Sequence, residues 1–496
     1  MNWRLAKNAF ANLCRGGAAA VTAMLLPPIL IRHMPASSYA VWVLALQAAA
    51  YLGYLDFGLQ TAVGRYVAFA AEKKDEKTRD AVFSAAVAGL SLAAVLGVLV
   101  VLGIAIASHR IFPAVPPALL GPLRWTMVIV GFAGAVSLPA SAWSGVAAGI
   151  QRYEIPAIAI GSGKLVAAAG LITAAVTGQS LTIMACILGG TNLCSYGAQF
   201  IMVRRAAPNV RFRPELISRS IIRELFGYCA SLTVWSFSML LVSGFDVLLV
   251  GRFQFSAVAP YSVSVTLIAF LAGIQTSIFG VIMPHAAALH ARENPAALGQ
   301  LLVRTTKIGV LFLLLSGLPL IVLAHPIMGL WIGSQFAKSG GRILAILVAA
   351  NMVRLTCVPY ASILVATGQQ RLVIVSPLVE GLSNLATSIF FGMRYGAVGV
   401  AWGTMFGAVV GVMAHILYNL PRTGRCVATT RAHFFQKGFI VPLLCGIPAA
   451  IAFLAAMRFK ALNRNFIMLS LFVSCAASVI VLFSTVRTYR RTESHL

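Results

Sequence analysis

Long apolar runs separated by short polar segments make up almost the whole sequence. The runs are continuous rather than alternating, which indicates α-helices and not the strands of a membrane barrel. Because about 20 helical residues cross a bilayer core about 30 Å thick, each run is long enough to span a membrane. Hydropathy windows of about 19 residues predict fourteen spanning helices, near residues 8–31, 38–59, 82–107, 122–149, 157–177, 179–203, 225–251, 257–284, 305–325, 341–367, 372–392, 397–420, 439–457 and 465–486. The sequence therefore predicts an all-α polytopic membrane protein.

Short motifs recur in corresponding places of the two halves of the chain. The segment GIQR at 149–152 recurs as GQQR at 368–371, each time between two predicted helices. A tyrosine and a Phe-Gly pair recur in the same way, at Tyr39, Phe57 and Gly58 and again at Tyr261, Phe279 and Gly280. Because the offset covers an even number of helices, the halves have the same orientation in the membrane. We therefore predict two pseudo-symmetric six-helix lobes followed by two further helices.

The repeat divides the chain into four parts. The N-terminal lobe covers residues 1–203 and the C-terminal lobe covers residues 225–420. The basic linker between them, at 204–224, contains ELISRSIIRELF, whose apolar spacing is that of an amphipathic helix lying along the membrane surface. Residues 421–496 hold the two additional helices and a tail.

Composition and charge agree with this class. Of the 496 residues, 59% are hydrophobic and only 10% are charged, and the mean hydropathy is +0.89. In a soluble protein the net charge of +26 would point to nucleic acid. Here most Lys and Arg lie in loops between apolar runs, where they orient a membrane protein and meet anionic headgroups. We expect membrane lipids as partners and no nucleic acid, and the positive-inside rule predicts that both termini are cytoplasmic.

Several motifs in order resemble the polysaccharide transporter branch of the multidrug/oligosaccharidyl-lipid/polysaccharide exporter superfamily, the Wzx-type flippases. They are SYAVWVLALQ, LDFGLQTAVGRY, FDVLLVGRFQFSAVAPYSVSV, MPHAAALHAREN, LAHPIMGLWIGSQF and YGAVGVAWGTMFG. The resemblance implies a two-lobed helical fold in the bacterial inner membrane that works by alternating access. It also implies a cargo, an undecaprenyl-diphosphate-linked oligosaccharide, moved from the cytoplasmic to the periplasmic leaflet for lipopolysaccharide, capsule or exopolysaccharide assembly. A periplasmic-side polymerase is then a candidate partner.

Basic residues inside predicted spans are candidates for holding an anionic cargo. Arg15, Lys164 and Arg354 lie in the first, fifth and tenth predicted helices. A cation at the centre of a span costs about 2.5 to 3.5 kcal/mol on insertion scales, so we expect these side chains to face the interior. Arginine suits a diphosphate because its planar guanidinium donates two parallel hydrogen bonds. Alternatively, Arg15 extends to the cytoplasmic interface, and Lys164 and Arg354 pair with acidic residues in the bundle.

Acidic residues in or near spans are candidates for ion coupling. Asp246 and Glu380 fall inside the seventh and eleventh predicted helices, where each needs a partner, a water-filled cavity or a proton. Coupling to H⁺ or Na⁺ is one interpretation. The other is a structural ion pair at the interface of the halves, with Arg354 as a partner. Asp56 and Arg65 flank the predicted end of the second helix, next to a loop rich in charged residues, and are candidates for a cytoplasmic gate.

The sequence points to transport rather than to catalysis. It contains no GxxxxGK[ST] nucleotide-binding motif and no long water-facing segment for a soluble catalytic domain. The eight cysteines form no CxxC pair, so we expect neither a disulfide framework nor a metal site. We expect no catalytic residues and no cofactor beyond a coupling ion.

Three other functions compete with export of a lipid-linked oligosaccharide. A lipid II flippase of peptidoglycan synthesis also has fourteen spans. A cation-coupled multidrug exporter would have twelve spans and a more acidic cavity. A membrane-embedded glycosyltransferase or polymerase would need a large loop with catalytic carboxylates, whereas the longest loops here are short and basic.

Overall fold

The computed structural model describes residues 21–73, 75–280, 282–369, 372, 374–458 and 464–493. Within these ranges the chain forms helices joined by short turns, and no strand occurs. Twelve helices are long and apolar enough to cross a membrane, and a shorter apolar helix, Val21–His33, precedes them. One of the twelve, Val375–Arg422, is two helices joined by a tight turn. The predictions of an all-α polytopic membrane protein and of about fourteen spans are therefore confirmed.

Contacts divide the chain into two compact units, residues 1–240 with 250–259 and residues 241–249 with 260–496. The predicted boundaries at 203, 224 and 420 stay predictions. The helices of the first unit are α1 (Val21–His33), α2 (Ala36–Ala50), α3 (Leu59–Lys73), α4 (Glu76–Ile106), α5 (Pro117–Gly149), α6 (Glu154–Val176), α7 (Leu181–Ala206) and most of α8 (Arg219–Ser243).

The second unit contains the remaining long helices. They are α9 (Asp246–Phe253), α10 (Val258–Gly280), α11 (Met283–Ala291), α12 (Pro295–Val322), α13 (Ala324–Ile332), α14 (Ala337–Leu355), α15 (Val358–Ala366), α16 (Val375–Ala414), α17 (Arg431–Phe435), α18 (Val441–Arg458) and α19 (Arg464–Glu493). Helices α9 and α10 each have a few residues in the first unit.

The second span is longer than the sequence predicts and is interrupted. It runs from Ala36 to Ala70, so the predicted end at residue 59 is wrong. After α2 a 3₁₀ turn covers Tyr51–Asp56, Phe57 and Gly58 take positive φ angles of 50° and 77°, and α3 continues. The polar residues around the interruption lower the hydropathy of a sequence window, although the helix beyond them still packs against α4 and α5.

The two halves of α16 pack against each other through a row of glycines in the second half and the residues that face them in the first half. At Gly396 φ is 59° and ψ is −139°, a conformation that favours glycine because it has no Cβ. Beyond this turn a glycine recurs every fourth residue, and each one lies against a residue of the first half of the helix. The facing pairs are Gly399 with Phe391, Gly403 with Ser388, Gly407 with Asn384 and Gly411 with Glu380. The glycines let the two segments approach closely, as small residues do in membrane helix pairs.

We expect Gly403→Ala to destabilise the protein. A Cβ there would collide with the backbone and side chain of Ser388, and overpacking of this kind costs about 1–3 kcal/mol. Gly273→Ala in α10 is the matched control, because no atom lies within 4 Å of its added Cβ. Thermal unfolding in detergent should show a lower Tm for Gly403→Ala and an unchanged or higher Tm for Gly273→Ala. Equal Tm values would contradict close packing at the glycine stripe.

Candidate functional site

A buried polar cluster that contains two carboxyl groups lies within the second unit. Its members are Asp246, Tyr261, Asn351, Arg354, Glu380, Asn384 and Thr404. The carboxylate of Asp246, at the start of α9, is only 6% exposed. Thr404 donates a hydrogen bond of 3.0 Å to its Oδ2, and the Tyr261 hydroxyl donates one of 3.4 Å to the same atom. These two donors give Asp246 a fixed position far from bulk water.

The first half of α16 supplies a polar stripe to this cluster, with Glu380, Asn384 and Ser388 four residues apart. Asn384 donates from Nδ2 to the Val242 carbonyl and accepts at Oδ1 from Ser388 at 2.9 Å. Glu380 is 6% exposed, and its Oε1 has no hydrogen-bond partner among the described residues. A carboxylate oxygen buried without a donor is costly when charged, so this position favours a bound proton or a nearby cation.

Arg354, in the last turn of α14, is the cation of the cluster. It is half-buried and interacts electrostatically with both Asp246 and Glu380. The ion pairs found among the described residues include none between Arg354 and either carboxylate. A narrow gap lies beside Arg354 and Glu380, and its other lining residues are Asn384, Asn351, Thr404, Val242, Ala350 and Ala408. The cluster thus holds two buried carboxylic acids and one guanidinium.

In the first unit, the interruption of the second span gives Asp56 a local role. Its Oδ1 accepts a hydrogen bond of 3.3 Å from the Gln60 amide, in the first turn of α3, and one of 3.4 Å from the Ser141 hydroxyl. A carboxylate at this place satisfies a free N–H of the helix and complements its dipole. Asp56 is therefore a helix cap at a break, and a motif of Asp followed by Gly inside an apolar run could have predicted it.

The structure does not join Asp56 to Arg65, and the gate assigned to them stays a prediction. Arg65 is exposed, and its guanidinium carbon lies 4.9 Å from the ring centroid of Tyr228. Lys164 is exposed near the middle of α6. Arg15 lies outside the described residues.

Sequence reasoning missed a second buried carboxylate group, centred on Asp80 near the start of α4. Asp80 is 1% exposed, and its Oδ1 lies 2.9 Å from Nη2 of Arg79. Arg213 approaches its Oδ2 at 3.6 Å, and the Arg211 amide donates to its Oδ1 at 3.4 Å. Through these contacts Asp80 binds the segment that follows α7, which contains Arg211 and Arg213, to α4. The burial of Asp80 was not predictable from the sequence, because a carboxylate in a segment with many charged residues is expected to be solvated.

We expect Asp80→Asn to loosen this segment. Removing one partner of a buried ion pair typically costs about 3–5 kcal/mol. Trypsin should then cleave after Arg211 sooner than in the unchanged protein, whereas Arg213 is protected by the proline that follows it. Asp75→Asn is the control. Asp75 is exposed and caps α4 by accepting from the Thr78 amide at 3.0 Å, a bond that lowers the pKa of Asp75. Asn caps a helix equally well, so cleavage should not change; equal cleavage in both variants would contradict the role of Asp80.

Solved structures of membrane transporters share this fold. The structure of a protein described as "Lipid II flippase MurJ, inward closed conformation" is 14% identical, with a TM-score of 0.69 over 98% of this chain and 99% of that chain. An inward-facing multidrug resistance MATE family transporter of the MOP superfamily is 12% identical, with a TM-score of 0.64 over 81% of this chain and 98% of that chain. An outward-facing MATE transporter is 14% identical, with a TM-score of 0.54 over 84% of this chain and 99% of that chain.

These similarities define the class as a multi-pass membrane protein with the fold of that flippase and of those transporters. Residues 55–340, more than half of the chain, match the family model described as "Polysaccharide biosynthesis protein". The chain belongs to this polysaccharide biosynthesis protein family, which confirms the resemblance drawn from its motifs. A comparison with curated proteins finds none that matches the sequence.

Proposed function

We propose that the protein flips an undecaprenyl-diphosphate-linked oligosaccharide from the cytoplasmic to the periplasmic leaflet of the bacterial inner membrane. Both termini lie in the cytoplasm, and a periplasmic-side polymerase receives the cargo. The product serves lipopolysaccharide, capsule or exopolysaccharide assembly. The observation that carries this proposal is membership of a polysaccharide biosynthesis family by a chain whose whole length has a lipid flippase fold.

Moving a charged diphosphate across a membrane requires a polar route, and basic residues of this chain can provide one. A hydrated diphosphate crosses a bilayer slowly on its own, because transfer of a charged group into hydrocarbon costs tens of kcal/mol by simple Born estimates. A flippase lowers this barrier by giving the headgroup a polar route while the lipid tail stays in the bilayer. Arg15, Lys164 and Arg354 are the residues we propose for that route, with Arg354 the one whose surroundings the structure describes in detail.

We further propose that the buried polar cluster couples flipping to an H⁺ or Na⁺ gradient. Asp246 and Glu380 can carry two negative charges, against the single positive charge of Arg354. Uptake of one cation or proton from one side of the membrane would neutralise the cluster. Release of that ion on the opposite side of the membrane would restore the negative charge. The oxygen atoms of Asp246, Thr404 and Asn384 are of the type that hard cations and protons prefer.

Deletion of the gene, followed by analysis of lipid-linked intermediates, tests the cargo. The proposal predicts loss of surface polysaccharide and accumulation of an undecaprenyl-diphosphate-linked oligosaccharide, with both defects reversed by a plasmid copy. Unchanged lipid-linked intermediates together with normal surface polymer would contradict it.

A lipid II flippase is the second candidate, favoured by the match of the fold over 98% of the chain. In that case deletion of the gene would cause lipid II to accumulate and would impair peptidoglycan synthesis instead.

A cation-coupled multidrug exporter is the third candidate. The matching MATE structure leaves about a fifth of this chain uncovered, and deletion would increase sensitivity to toxic compounds without changing lipid-linked sugars.

A further inference from the structure

Helix α8 packs against α3 within the first unit, and this packing determines the surroundings of Arg65. Leu225 and Cys229 of α8, both 4% exposed, form an apolar cluster with Ala62 of α3, which is fully buried. Arg65 follows Ala62 by three residues and Tyr228 precedes Cys229 by one. The helix period therefore places Arg65 and Tyr228 beside the same contact.

Two tyrosine rings support the Arg65 guanidinium. Its central carbon lies 4.9 Å from the ring centroid of Tyr228 and 5.9 Å from that of Tyr66. We call Tyr66 and Tyr228 the tyrosine platform. An arginine over an aromatic face is attracted by the negative face of the ring, while its in-plane N–H groups stay available for hydrogen bonds.

The acid that packs beside this platform does not neutralise Arg65. Glu224, one helical turn before Tyr228, accepts a hydrogen bond of 2.6 Å from the Tyr66 hydroxyl. This bond ties α8 to α3 and fixes the Tyr66 ring. Among the described residues, the ion pairs and hydrogen bonds include none from the Arg65 guanidinium to a carboxylate or carbonyl. Arg65 is thus an exposed guanidinium that lies against two tyrosine rings.

We propose that Arg65 on the tyrosine platform binds a phosphate ester, and that this ester belongs to the diphosphate of a prenyl-linked cargo during loading. The proposal rests on the proposed function for the identity of the cargo, while the site itself rests on the geometry above. A guanidinium forms two parallel charge-assisted hydrogen bonds with a phosphate, which an ammonium does not. The platform lowers the entropic cost of binding because the side chain is already held in place.

The test measures binding of undecaprenyl diphosphate, without sugar, to the full chain in phosphatidylcholine nanodiscs. A hydrogen bond to a charged group contributes about 1.5–3 kcal/mol, so Arg65→Ala should raise Kd about 10- to 100-fold. Arg65→Lys should recover only part of this loss, because it keeps the charge but not the planar pair of donors. Tyr228→Leu should raise Kd about threefold or more, because a cation–π contact contributes about 0.5–2 kcal/mol.

Two variants separate this role from a structural one. Tyr228→Phe keeps the aromatic face and should bind like the unchanged protein. Lys73→Ala removes another cation on the same helix, 4.5 Å from the Phe69 ring, and should leave Kd unchanged. Nanodiscs containing phosphatidylglycerol show whether ordinary phospholipid is the true source of the phosphate.

If Arg65→Ala binds undecaprenyl diphosphate as tightly as the unchanged protein, the inference is overturned and the proposed function stands. A loss of phosphatidylglycerol binding alone would also overturn it. Failure of the unchanged protein to bind undecaprenyl diphosphate would overturn both this inference and the proposed cargo.

Discussion

Replacing Asp246 with Asn should remove the dependence of flipping on an ion gradient. Asn has nearly the same shape, and its oxygen can still accept from Thr404 and Tyr261, which donate to Asp246 at 3.0 Å and 3.4 Å. It cannot lose or gain a charge, so the cluster no longer needs a proton or cation. In reconstituted vesicles, imposed H⁺ or Na⁺ gradients should accelerate flipping by the unchanged protein and leave Asp246→Asn at the rate measured without a gradient.

Glu380→Gln is the matched comparison for this experiment. It neutralises the other buried carboxylate of the same cluster and is also isosteric. Because it removes the same negative charge from the cluster, Glu380→Gln should lose the response to the gradient as Asp246→Asn does. If flipping by Asp246→Asn still depends fully on the gradient, Asp246 has a structural role only. This is the alternative in which Asp246 forms an interior ion pair with Arg354.

Arg354→Ala should abolish surface polysaccharide and lower the amount of folded protein. Without Arg354, Asp246 and Glu380 both remain buried, and the gap beside Glu380 has no cation among its lining residues. Leaving a buried charge uncompensated typically costs about 3–5 kcal/mol. Immunoblots of membranes and Tm measurements in detergent give the structural part of this effect, and polymer staining gives the functional part.

A double variant separates the two roles of Arg354. Arg354→Gln combined with Glu380→Gln removes one positive and one negative charge, so the net charge of the cluster is unchanged. We expect more folded protein than in Arg354→Ala, because only one buried carboxylate is left without the guanidinium, and still no polymer, because the group that binds the diphosphate is missing. Restored polymer would show that Arg354 serves only to balance the carboxylates.

The helices were predictable because each span is a long apolar run, and hydropathy alone finds such runs. The hairpin of α16 was also predicted as two helices, since Gly396 and its polar neighbours interrupt the run. The second span was not predicted correctly. Asp56 and Gly58 look like a helix end, and only packing of α3 against α4 and α5 shows that the span continues.

The composition of the buried polar cluster was only partly predictable. Asp246, Glu380 and Arg354 stand out in the sequence because charges are costly within a span. Thr404 and Tyr261 do not, because hydroxyl groups are common there, and their approach to Asp246 depends on how different helices pack together. The spacing of Glu380, Asn384 and Ser388 opposite the glycine stripe was a usable signal, since residues four apart share one helix face.

Flipping by the purified protein is the decisive measurement for the proposed function. Vesicles of phosphatidylcholine would carry a fluorescent undecaprenyl-diphosphate-linked oligosaccharide in both leaflets, and a membrane-impermeant reagent would quench the label on the outer leaflet. We predict that only the outer-leaflet label is quenched in empty vesicles. In vesicles with the protein nearly all of the label should be quenched, since flipping brings inner-leaflet cargo outward. Equal quenching with and without the protein, at a normal level of correctly folded protein, would contradict the proposed function.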